Sequence, residues 1–173
     1  MLGLKSLFYQ QEDIGNVIEG ISAGLHEQLV AGLSGSARTL FIASIYEKEK
    51  KPILLVTHNL LQAQKLFDDL VSVIGEEDVF LYPANELIGA EISVASPELK
   101  AQRIEVLNHM CEKKNSIVIV PIAGLRKIVP PPKVWKRYQL HVKVGDEINI
   151  DEKLIQFVEM GYVRADMIAA PGE

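Results

Sequence analysis

The apolar positions change period along the chain, and each change predicts an element. From Asn16 to Leu29 the apolar residues Val17, Ile18, Ile21, Leu25 and Leu29 recur at helical spacing, giving one apolar face. A short run, Leu29-Val30-Ala31-Gly32-Leu33, follows and predicts a buried strand. Ser34-Gly35-Ser36 is a turn signal, and Thr39 to Tyr46 reads as a helix. Lys51-Pro52 then punctuates before Ile53-Leu54-Leu55-Val56, four consecutive apolar residues that fit a strand buried on both faces. Asn59 to Val73 is amphipathic through Leu60, Ala63, Leu66, Phe67 and Leu70. Val79-Phe80-Leu81-Tyr82 is a short strand stopped by Pro83. Ser96-Pro97-Glu98 combines an N-cap residue, a proline suited to the first helical position and an acidic first turn. It opens a helix whose expected apolar face is Ile104, Leu107 and Met110. Ile117-Val118-Ile119-Val120 is a further strand ended by Pro121.

Strand and helix thus alternate through residues 1–121. Near-continuous apolar strands between helices predict an α/β fold, a parallel sheet with helices on both faces. Pro130-Pro131-Pro132 breaks that rhythm. Beyond it, Leu140, Val142 and Val144 alternate as on a half-exposed strand, and Gly145-Asp146 is a turn. Leu154, Ile155 and Val158 mark a short helix closed by Gly161, and Tyr162 to Ala169 reads as a second strand. Residues 122–173 therefore read as a small, incomplete α+β domain. Two strands are too little sheet for independent stability, so the pattern suggests a chain cut from something longer.

Composition narrows the chemistry. The 173 residues are 48% hydrophobic and 24% charged, and a chain of this length buries a core without disulfides or metals. Eighteen Lys and Arg against 23 Asp and Glu give a net charge of −5, which argues against coating nucleic acid by bulk charge. The single Cys111 excludes an internal disulfide and a cysteine-based zinc site; four scattered His give no metal set. No apolar run approaches the roughly 18 residues of a membrane span, and the first residues lack a signal-peptide core. The expectation is a cytoplasmic protein with no membrane partner.

The chemical candidate is Gly32-Leu33-Ser34-Gly35-Ser36-Ala37-Arg38-Thr39. A phosphate-binding loop reads G-x-x-x-x-G-K-[ST] between a strand and a helix. Its backbone N–H groups wrap phosphate, its Lys reaches the β and γ phosphates and its hydroxyl holds magnesium. Gly32 and Thr39 sit at the outer positions, but Ala37 replaces the second Gly and Arg38 the Lys. Ala37 puts a Cβ where backbone closes on phosphate, and a planar guanidinium is no substitute for a compact ammonium. The expected cofactor-binding set, Gly32, Ser34, Gly35, Ser36, Ala37, Arg38 and Thr39, therefore reads as a degenerate loop that does not turn nucleotide over; the alternative is an ATP-binding or ATP-hydrolysing helicase-like domain whose loop works despite Ala37 and Arg38. No apolar strand ends in Asp-Glu to supply a magnesium and water site, and no nucleophile–base spacing is present, so no catalytic residue is named.

Longer stretches carry a resemblance. Val17 to Ile21 and Gln28 to Thr39 resemble the first nucleotide-binding segment of the damage-recognition helicase-like subunit of bacterial nucleotide excision repair; Thr57-His58-Asn59 resembles its next motif. Ala31 to Arg38, Leu81-Tyr82-Pro83, Ala95 to Leu99, Val120-Pro121, Gly161-Tyr162 and Pro171-Gly172-Glu173 are similar to the N-terminal module of the bacterial transcription-repair coupling factors. The resemblance spans essentially the whole chain. It implies a piece of a large ATP-dependent DNA translocase that displaces stalled RNA polymerase and recruits excision repair. The ATP- and magnesium-dependent motor, and the parts that meet RNA polymerase and DNA, lie elsewhere in such a protein.

For this module the resemblance implies docking of the excision-repair damage-scanning subunit and autoinhibitory packing against C-terminal domains of its own full-length chain. Arg164, after Gly161-Tyr162-Val163, matches an Arg position of the docking domain, and Tyr162 joins it as a residue type favoured at interfaces; the other reading is an exposed Arg164 on a strand, solvated or paired with Asp166. Pro83 to Ala95 holds no aromatic residue, which argues against a base-stacking damage probe.

Other residues carry two readings. Lys100 and Arg103 form a solvated helix face or meet DNA or another domain. Lys133, Trp135, Lys136 and Arg137 form a basic cluster whose Trp anchors the domain junction or touches nucleic acid. His58-Asn59 lies where ligands of such sheets gather, with a helix N-cap role for Asn59 the favoured reading.

Overall fold

The computed structural model describes residues 11–84, 97–112, 115–126 and 128–162. The chain divides into two compact units, Met1–Ile128 and Val129–Glu173.

The first unit is an α/β layer structure. Helices α1 (Glu12–Ser22) and α2 (Ser36–Glu49) precede strand β1 (Ile53–Thr57). Helix α3 (Leu60–Ile74), strand β2 (Val79–Leu81), helix α4 (Pro97–Cys111) and strand β3 (Ile117–Pro121) follow, and a 3-10 turn spans Ile122–Arg126. The three strands pair in the order β1-β3-β2, all parallel, with Ile53 and Val79 both opposite Ile117. The last strand to be made is therefore the central one. All five of its residues are buried, which is what its unbroken apolar run predicts.

Alternation along β3 separates two cores. Ile117 and Ile119 face Ile14 and Ile18 of α1, Phe41, Ile42 and Tyr46 of α2, and Ala63 and Leu70 of α3. Val118 and Val120 face Val106 and Leu107 of α4, with Phe80 and Tyr82. Both sheet faces thus carry helices, as expected. α4 keeps only part of the predicted face: Leu107 packs on the sheet beside the buried Val106, while Ile104 and Met110 remain exposed. Gly124 lets the 3-10 turn fold back on β3, because a Cβ there would lie 2.7 Å from Val120 Cγ2.

Polar side chains tie the layers together. The Tyr46 hydroxyl donates to the Asn115 carbonyl at 3.0 Å, fixing α2 to the entry of β3. Burial, and then the neighbouring Asp78 carboxylate, push its hydroxyl up to about 12. In the same last turn of α2, the Glu49 carboxylate accepts from both Ser22 and Lys51, from Lys51 at 2.7 Å. Those hydrogen bonds, from Lys51 first and Ser22 second, hold that carboxyl below its usual range. Asn59 caps α3, its side chain accepting from Gln62 N–H at 2.8 Å, so the cap reading of that residue is the one the structure takes.

Three expectations are corrected. Leu29-Val30-Ala31-Gly32-Leu33 is no strand: no ladder includes it, and Leu29 is 96% exposed. β1 is buried on one face only, because it is an edge strand; α4 covers Val118 and Val120 but leaves their β1 neighbours Leu54 and Val56 53% and 49% exposed. In the second unit, Tyr138 to Val144 has no partner strand among the described residues and stays irregular, with Tyr138, Val142 and Val144 exposed; the second strand expected from Tyr162 to Ala169 lies, beyond Tyr162, outside the described residues.

The described part of that second unit holds two helices, α5 (Pro132–Arg137) and α6 (Ile150–Glu159). Its turn forms as predicted: the Asp146 side chain accepts from Lys143 N–H at 2.9 Å. Asn149 caps α6, accepting from Asp151 N–H at 3.2 Å and Glu152 N–H at 3.4 Å. Gly161, in the left-handed region, ends the helix.

Candidate glycine loop and docking surface

The loop ahead of α2 is built by two glycines in left-handed conformations, Gly32 (φ +83°) and Gly35 (φ +51°). Gly35 is the N-cap of α2, with ψ −132°, a conformation side chains with a Cβ rarely adopt. Gly32, Ser34, Gly35, Ser36 and Arg38 are exposed, Ala37 is half-buried and Thr39 is buried. The expected set thus divides between an exposed turn, Gly32 to Gly35, and the first residues of a 14-residue helix, Ser36 to Thr39. That helix start has no side-chain cap and no acidic residue in its first turn.

Two features set what this turn can do. The N–H groups of Ala37 and Arg38 donate to the carbonyls of Ser34 and Gly35, each at 3.2 Å. Those donors point back into the turn, whereas a phosphate cradle needs them aimed outward. Second, the Thr39 hydroxyl is buried and has no hydrogen-bond partner among the described residues. A buried hydroxyl left unpaired is uncommon and costs about 1–3 kcal/mol.

The second unit carries the other expected site. Tyr162 is exposed; its N–H donates to the Phe157 carbonyl at 3.0 Å and its ring meets the Phe157 ring edge-on at 5.3 Å. It therefore sits fixed at the C-terminal end of α6. Arg164 lies outside the described residues. On α5, Lys133, Lys136 and Arg137 are exposed and Trp135 is half-buried.

Among the described residues no group of three or more His, Cys, Asp or Glu side chains could hold a metal ion. Nor is any described helix long and apolar enough to cross a membrane. His58 is exposed beyond the end of β1, Lys100 is exposed on α4, and Cys111 is a half-buried free thiol.

One residue that the sequence offers as a solvated face, or as a DNA or interdomain contact, has another role. Arg103 is half-buried: its Nε–H donates to the Pro83 carbonyl at 2.7 Å and its guanidinium lies 5.5 Å from the centre of the Tyr82 ring. It ties α4 to the exit of β2. Helical periodicity gives no sign of this, because the acceptor is a backbone carbonyl twenty positions away; the adjacent Tyr82-Pro83 pair was the available hint.

Together these features define a parallel α/β unit with a glycine-bearing turn at a helix start, followed by a small unit whose described part is helical. No family model matches the chain. Over all 173 residues it is 47% identical to the transcription-repair-coupling factor of Bacillus subtilis (strain 168), matching the N-terminal part of that protein. It is 39% identical over 145 residues, 84% of its length, to the transcription-repair-coupling factor of Staphylococcus haemolyticus. The corresponding protein of Staphylococcus aureus (strain USA300) is 37% identical over 150 residues, 87% of the chain. The chain belongs to the transcription-repair-coupling factor family. It spans only 15%, 12% and 13% of the length of these curated relatives.

Proposed function

We propose that this chain is a non-catalytic interaction module of a cytoplasmic transcription-repair-coupling factor. Its work is to dock the excision-repair damage-scanning subunit and to restrain the motor through contact with C-terminal domains of the full-length chain. ATP hydrolysis with magnesium, and engagement of RNA polymerase and DNA, belong to other parts of that protein. The turn 32–39 is then a relic phosphate loop. The observation that carries this reading is the orientation of the Ala37 and Arg38 N–H groups, satisfied within the turn where phosphate would need them. The substitutions at the Gly and Lys positions support it. Tyr162, held at the end of α6, and Arg164 are the docking contacts.

One observation favours a second reading, a nucleotide-binding turn that works despite its sequence. The unpartnered Thr39 hydroxyl stands at the position where a phosphate loop holds magnesium.

Calorimetric titration of ATP and ADP into the purified chain, with and without magnesium, separates the two. The module reading expects no heat of binding. Micromolar, magnesium-dependent binding that Thr39→Val abolishes would establish the second reading. Docking is tested in the full-length protein, where Arg164→Glu and Tyr162→Ala should each weaken capture of the damage-scanning subunit at least tenfold. Unchanged affinity in both removes the contact assignment.

A further inference from the structure

We draw no further inference here: the strongest candidate, the apolar face that Leu54 and Val56 leave half exposed on edge strand β1 beside the groove lined by Pro52, Met110, Asn115 and Val118, carries nothing because nothing in the structure shows what covers it.

Discussion

Arg103 and Tyr46 each join segments far apart in the chain through a backbone carbonyl. Removing Arg103 leaves the buried Pro83 carbonyl without its charged donor and the Tyr82 ring without its cation. Arg103→Ala should lower unfolding stability by about 1.5–3 kcal/mol, in the range of a hydrogen bond to a charged group. Arg103→Lys should recover part of it through the ring. Urea denaturation of the three proteins checks this, and a loss below about 0.5 kcal/mol in Arg103→Ala would show the contact to be idle. Tyr46 gives a pH prediction. Its folded-state value is raised from 10.0 to about 12, so its contribution is complete below pH 10 and is lost as pH rises toward 12. Tyr46→Phe, which has no ionisable hydroxyl, should lose less stability between pH 9.5 and 11.5 than the parent chain. Parallel losses in the two proteins would mean that Tyr46 does not titrate against the fold. Neither role was legible in the sequence: Arg103 read as a solvated helix face or a DNA or interdomain contact and Tyr46 as the end of an apolar helix, and their acceptors are backbone groups 20 and 69 positions away.

At the scale of elements, local chemistry was readable where a segment satisfies itself. Asn59 announces its helix because the cap needs only the next turn of chain, and Asn59→Ala should cost about 1 kcal/mol. Thermal unfolding followed by circular dichroism reads that loss; an unchanged midpoint would mean that the terminus is satisfied in another way. β3 was legible for a related reason. A central strand is apolar on both faces, and no other described part of the chain has so unbroken a run that is also fully buried. Leu29 to Leu33 and Tyr138 to Val144 mark the boundary of that reasoning. Each carries a strand's pattern, yet a strand exists only when a neighbour supplies its ladder, and a pattern says nothing of the neighbour. The same failure reaches the candidate site. The glycine turn and the helix after it were foreseen, whereas the strand expected to lead into them was not found.

Across the whole molecule, protection should follow the layers. Amides of Ile117 to Ile119 lie in a buried strand paired on both sides. Those of α6 sit on a helix whose Ile150, Leu154, Ile155 and Val158 are all exposed. Hydrogen exchange should be slowest in β3, with opening free energies near the global value, and at least a hundredfold faster in α6. Equal protection in the two would show that α6 is covered in solution. The strand order has a consequence for synthesis as well. Because β3 lies between β1 and β2, neither earlier strand has a sheet partner among the described residues until the polypeptide through Pro121 has left the ribosome. The nascent chain must carry Ile53–Thr57 and Val79–Leu81 unpaired for the time taken to add about forty further residues after β2, a few seconds at ordinary elongation rates. During that interval their apolar side chains are available to chaperones, and slowing translation between codons 82 and 121 should lengthen that exposure.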